Sequence, residues 1–244
     1  DNVSFFFLLG EIRNNSLLQS KVELESKHFD DIIQERFIDH YNNLTLKSVN
    51  MLKLFNSHCS KSYKYLMKID DDVFLNIDLV MEMLLQRKSA TDVLVGKIIN
   101  DTGPFRETGN KWYVPYEWYP EAKYPDYLCG PTYLMSADVV RKLYHCALET
   151  PIFYIEDVYV TGICAKKMGI VPKHDRLFTC HHLDMNFCHN RNLYSLHFRT
   201  PEDIRNSYRI LKNNECPARI GWRVGRVRRV ILVFVYSRET ETVE

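Results

Sequence analysis

Apolar runs separated by polar breaks recur along the chain at the spacing of alternating strands and helices. SFFFLLG, Ser4 to Gly10, is short, continuous and closed by glycine, as in a strand covered on both faces. Residues 17 to 28 read as a helix, and FDDIIQ, Phe29 to Gln34, as a short strand or turn. From 44 to 58, Leu46, Val49, Leu52, Leu54 and Phe55 fall at helical spacing. YKYLMKI then forms a second buried strand, which stops at three consecutive acids, Asp70, Asp71 and Asp72. Asn76 or Asp78 would cap a helix over Leu79 to Gln86, and Asp92 to Ile98 is a further strand.

Residues 101 to 127 carry Pro, Gly, Trp and Tyr without periodicity, the pattern of a long ordered loop. Helices follow at Ala137 to Leu148 and Glu156 to Gly169. A last one, Thr200 to Lys212, has Thr200 as its cap and Pro201 in its first turn. Strands alternating with helices predict an α/β fold with a mostly parallel sheet flanked by helices. Ligands of such sheets bind outside the carboxyl ends of the strands, and the aspartates occupy one such end. Beyond about Pro217 the character changes: Arg219, Arg223, Arg226, Arg228 and Arg229 crowd ahead of VILVFVY.

Three adjacent carboxylates repel one another unless a cation compensates. A hard divalent ion shared with phosphate oxygens would do so. On its own, such a triplet is more often a solvated turn. It is not an EF-hand, because Leu75 and Met81 stand where that loop needs Gly and Glu. Glu156 and Asp157 lie between a strand-like run and a helix. One could act as a general base, although a pair of acids at a helix N-terminus is also what the helix dipole favours. His197, alone in NLYSLHF, reads by itself as structural. The Cys and His residues from 180 to 189 match no common zinc spacing. The aromatic cluster around Trp112, Tyr116 and Trp118 is equally a packed loop or a platform for a sugar face.

Composition narrows the field. Net charge is +1, and nothing in that balance argues for nucleic acid or an anionic membrane surface as partner. Neither glycine-rich phosphate loop nor GxSxG nucleophile is present. Seven scattered cysteines and four sequons, at Asn2, Asn14, Asn43 and Asn100, suit a secretory-pathway lumen. Seven cysteines do not determine their own pairing. No apolar run reaches the roughly 20 residues of a membrane helix. The opening DNVSFFFLLG reads as a strand already in progress, so the sequence reads as a fragment of a longer chain.

In order along the chain, FFLLG, FDDIIQERFIDHYNNLTLKS, KYLMKIDDDVFLN, KWYVPYEWYPEAKYPDYLCGPTYLMS, IEDVYVTGICAKKMGI and LHFRTPEDI resemble the β-1,3-galactosyltransferase and β-1,3-N-acetylglucosaminyltransferase family. These are inverting glycosyltransferases of the Golgi with a GT-A fold. The resemblance covers about residues 5 to 216. It implies a single catalytic domain over 1–217, lacking its first strand, with 218–244 a tail outside the family domain. It implies a UDP-sugar donor (galactose favoured), a glycan acceptor on protein or lipid, Mn²⁺, and a single-pass anchor with the domain in the Golgi lumen. Asp70 and Asp71 would serve the nucleotide, and Asp72 and His197 the metal. Asp157 would be the base with Glu156 beside it. Asp31 would lie near the uridine, and Lys111, Trp112 and Tyr113 on the acceptor side. The chain departs from the pattern at its start, at its tail, and at Pro131, where the family has glycine. A non-catalytic glycan-binding relative is the alternative, and a glycosidase built on Asp72 and Asp157 a third reading.

Overall fold

The structure is a computed structural model that describes residues 3–13, 15–181, 187–198, 200–213, 215–216 and 231–236. The expectations for Asn2, Asn14, His182 and the arginine cluster fall outside these residues. Nine strands are described: β1 (Val3–Glu11), β2 (Ile32–Ile38), β3 (Tyr65–Asp70), β4 (Val73–Leu75), β5 (Leu94–Ile99), β6 (Tyr127–Ser136), β7 (Lys173–His174), β8 (Ser195–His197) and β9 (Ile231–Tyr236). Seven of them form one sheet in the order β2-β1-β9-β3-β6-β5-β7, and β4 pairs with β8 in a second, two-stranded sheet. In the large sheet only β6 runs against its neighbours β3 and β5, so the sheet is mostly parallel, as the alternation predicts.

Every residue of β3 is buried, because helices cover both faces. On one face Leu66, Tyr133 and Met135 meet α2 (Leu44–Leu54), α4 (Ala137–Glu149) and the helical turn Val158–Cys164. On the other, Tyr65, Met67, Ile69 and Leu134 meet Val80, Met81 and Leu84 of α3 (Ile77–Gln86). Strand alternation therefore sends Lys68 and Asp70 to the α2 and α4 face, alongside Leu66.

Local rules account for most element ends. Asn15 caps α1 (Ser16–Phe29) by accepting the Leu18 N–H at 3.0 Å, and Asp30 ends it in the left-handed region at φ 53°. Thr200 caps α7 (Pro201–Lys212), accepting the Asp203 N–H at 3.2 Å. Asn76 precedes α3 without capping it through its side chain; its amide donates instead to the Arg191 carbonyl at 3.0 Å. The helix expected from 156 to 169 is a π-helical turn, Val158–Cys164, followed by the short α5 (Ala165–Lys167). The short α6 (Phe187–Asn190) follows β7.

Three strands of this sheet, β6, β7 and β9, were not read from the sequence. β6 contains Pro131, which cannot donate a ladder bond. It falls where the register to β5 shifts between Gly96 and Ile98, and just past the last pair with β3, Ile69 with Thr132. β9 comes from the tail placed outside the domain in the sequence reading. It runs parallel between β1 and β3, with Val233 opposite both Phe5 and Met67. β1 and β2 thus join the rest of the sheet through β9.

A buried ion pair fixes the turn after β2. Lys47, fully buried, contacts Asp39 at 2.6 Å, and Asp39 also accepts the Gly10 N–H at 2.8 Å. A Cβ on Gly10 would stand 2.6 Å from the Phe37 carbonyl oxygen, so this approach requires glycine.

Val233→Pro removes an N–H from a strand paired on both sides and leaves an acceptor without its donor. The expected loss is about 1–3 kcal/mol or more, read as a lower urea midpoint. An unchanged midpoint would mean that β9 does not hold the two halves of the sheet together.

Candidate active site

The site forms where β3 ends. Asp70 is buried and its carboxylate meets the ammonium of Lys68, itself buried two residues back on the same face. The Lys68 Nζ also donates to the Gly130 carbonyl on β6 at 2.6 Å. Asp71 is exposed at the turn that follows. Asp72 then leads into β4, whose pairing with β8 sets Val73 opposite His197. That register brings the His197 Nε2 to 3.0 Å from the Asp72 Oδ2. The other ring nitrogen, Nδ1, lies 3.1 Å from the Cys180 carbonyl, which can only accept.

Nδ1 must therefore carry a hydrogen, and Nε2 faces a carboxylate that also only accepts. A metal ion placed beside this pair would have one imidazole nitrogen and one carboxylate oxygen as ligands. A ligating histidine that donates its far nitrogen to a carbonyl is the usual supporting arrangement for a metal. Among the described residues no three His, Cys, Asp or Glu side chains form a cage by themselves. One carboxylate and one imidazole suit an ion such as Mn²⁺ that keeps places for phosphate and water. A disulfide between Cys129 and Cys180 ties this segment to β6, one residue before Gly130. A second joins Cys188 to Cys216.

The other acids arrive from the turn after Ile155. Glu156 is buried and accepts hydrogen bonds from the Ser48 Oγ of α2 at 2.6 Å and the Tyr133 hydroxyl of β6 at 2.5 Å. Burial raises its pKa, and the charges and donors around it (Lys68, Ser48, Tyr133) only partly offset this. Asp157 caps the π-helical turn. Its Oδ1 accepts the Val158 N–H at 2.8 Å and its Oδ2 the Gly130 N–H at 3.0 Å. Burial first, then the neighbouring charge of Glu156, pushes Asp157 up to about 7. A carboxylate near neutrality on a π-helical turn is a common mark of a working site.

Lys111, Trp112 and Tyr113, which the resemblance places on the acceptor side, lie on the long loop. Trp112, 45% exposed, donates from its indole to the Tyr41 hydroxyl at 2.9 Å, and the Lys111 ammonium sits 4.0 Å from the centre of the Tyr41 ring. The Tyr113 carbonyl accepts from the Tyr154 hydroxyl, which links the loop to the segment just before Glu156. The exposed Tyr116 is stacked under Arg106, and Trp118 meets Tyr154 edge-on.

The structure thus gathers Asp70, Glu156 and Asp157 around Lys68, and Asp72 with His197. Asp31 stands apart. It precedes β2 at that strand's amino end, three strands over from β3, about 14 Å away at the usual strand spacing. Lys68, Ser48, Gly130 and Tyr133 were not singled out in the sequence. A lone cation in the fully apolar-flanked run YLMKI was the one available signal, since a lysine buried in a strand needs an anion beside it.

A profile of galactosyltransferases matches residues 1–176. Beta-1,3-galactosyltransferase 1 of mouse and human is 38% identical over 204 residues, 83% of this chain and 61% of the relative. Lactosylceramide 1,3-N-acetyl-beta-D-glucosaminyltransferase of Xenopus tropicalis is 38% identical over 183 residues, 72% of this chain and 48% of the relative. The chain belongs to the galactosyltransferase family. It spans about half to three fifths of the length of these relatives. Among the described residues no helix is long and apolar enough to cross a membrane.

Because the folded state raises the pKa of Glu156, it favours the protonated acid. That contribution is full at low pH and is lost as pH rises through the folded value. Glu156→Gln keeps an oxygen for Ser48 and Tyr133 but carries no charge. Its melting temperature relative to the parent chain should rise from pH 5 to pH 8. A melting temperature that falls relative to the parent over that range would contradict the stated cause.

Proposed function

We propose that this chain is the catalytic domain of an inverting β-1,3-glycosyltransferase of the Golgi lumen. It moves a hexose or N-acetylhexosamine from a UDP-sugar to a hydroxyl of a glycan acceptor. The observation that carries this reading is Asp157, a carboxylate near pKa 7, one glycine away from the Lys68–Asp70 pair. Family membership and the β-1,3 linkage in the relatives' names support it. Galactose is the first donor to test, because the galactosyltransferase match covers more of the chain.

The acceptor hydroxyl attacks the anomeric carbon opposite the diphosphate. The new C–O bond forms as the bond to UDP breaks, so an α-linked donor yields a β linkage. Asp157 takes the hydroxyl proton, and a base near neutrality suits that transfer. A single displacement needs no glycosyl-enzyme intermediate, unlike a retaining glycosidase. Asp72 and His197 would hold Mn²⁺, with Asp70 and Asp71 on the nucleotide side. When bound, such an ion neutralises charge on the departing diphosphate. Glu156, which accepts from Ser48 and Tyr133, would support Asp157 from the adjacent position. Lys111, Trp112 and Tyr113 would line the approach of the acceptor, whose apolar sugar faces match exposed aromatic rings.

UDP should raise the melting temperature only when Mn²⁺ is present, and Asp72→Ala should abolish that rise. A Mn²⁺-independent rise would sink the metal assignment. Asp157→Asn should lower kcat by about 10²–10⁴-fold while UDP affinity stays within a few-fold. Loss of UDP binding in that variant would remove Asp157 from the role of base.

Only ionised Asp157 can accept a proton. In the parent chain kcat should therefore fall about tenfold per unit below pH about 7 and level off above it. A flat profile down to pH 5 would contradict the assignment.

A further inference from the structure

Among the described residues, Lys68 links Asp70 to the strand that holds Asp157. Its ammonium meets the Asp70 carboxylate on its own strand and the Gly130 carbonyl on the next. Directly opposite it across the β3–β6 ladder is Tyr133, whose hydroxyl donates to Glu156. Gly130 in turn donates its N–H to the Asp157 Oδ2 at 3.0 Å. One residue of β6 therefore accepts from Lys68 at its carbonyl and holds Asp157 at its amide. The fit is close: a Cβ on Gly130 would stand 3.2 Å from the same Asp157 oxygen. Lys68 is 3% exposed, and a buried ammonium costs several kcal/mol unless it is fully partnered. Its position is thus dictated by Asp70 on one side and by the Gly130 carbonyl on the other.

We infer that Lys68 is a positioning residue that sets the distance between the donor-side aspartates and Asp157, acting through Gly130. The inference rests on the reading of Asp157 as the base. Fixed to Asp70, Lys68 pins Gly130, and Gly130 aims the Asp157 carboxylate. A neutral side chain of similar length would leave β6 free to shift by tenths of an ångström, enough to misplace a base relative to the donor.

Nine glycines make the Gly130 amide observable in ¹⁵N-glycine-labelled protein, where Gly130→Ala identifies its resonance. Asp157→Asn should move that resonance, because it changes the acceptor. Lys68→Met should move it as well, and should speed its hydrogen exchange at least tenfold. In the same variant kcat should fall at least tenfold, with the KM for the UDP-sugar within about threefold. A lysine that merely filled space would leave the Gly130 amide unmoved. A folded Lys68→Met with the parent Gly130 resonance and protection, or with kcat within twofold of the parent, overturns the inference. Should Lys68→Met not fold, Lys68→Met with Asp70→Asn removes both charges of the pair and permits the same amide measurement. If the parent chain transfers no sugar while the Gly130 amide still answers to both substitutions, the positioning stands and the transferase reading falls.

Discussion

Burying charge on the face of a sheet is the constraint around which this molecule is organised. Asp70 and Glu156 are buried on the α2 and α4 side of the sheet beside an apolar core, with the half-buried Asp157 next to them, and an unpartnered carboxylate there costs several kcal/mol. The structure answers with one ammonium and four donors: Lys68, the hydroxyls of Ser48 and Tyr133, and the N–H groups of Gly130 and Val158. These come from α2, β3, β6 and the π-helical turn. Satisfying the acids therefore fixes four elements relative to one another, and the candidate site is held by the same contacts.

The balance is uneven, and the unevenness is useful. Asp70 has the ammonium beside it. Glu156 has two hydroxyls but lies deeper, and burial wins. Asp157 has two backbone donors and a charged neighbour, and reaches about 7. Glu156 and Asp157 thus both hold their protons more tightly than a free carboxylate does. The small β4–β8 sheet adds His197 from a remote part of the chain, and the Cys129–Cys180 disulfide keeps its supporting carbonyl near β6.

Much of this was legible beforehand. β1 and β3 were visible as apolar runs, α1, α2 and α4 as periodic segments, and the Thr200 cap as a local pattern. These signals work because they depend on residues within one or two turns of each other. β6 was missed because Pro131 and Gly130 break the look of a strand, and only the bulge against β5 makes proline tolerable there. The placement of β9 could not be read from its own residues, since an apolar hexapeptide does not say which strands it will join. Asn76 was expected as a cap by proximity, but a loop more than a hundred residues away supplies the carbonyl its side chain bonds.

The sequence by itself determined the α/β class, the acidic end of β3, the second acidic pair and the late histidine, because each is a matter of residue type and local spacing. Only the tertiary structure decided which acid is desolvated, which nitrogen of His197 faces Asp72, and that Lys68 and Gly130 stand between the two groups of aspartates. Those outcomes depend on what packs over each group from distant parts of the chain, and the free energy of a buried charge is set by that surrounding rather than by its neighbours in sequence.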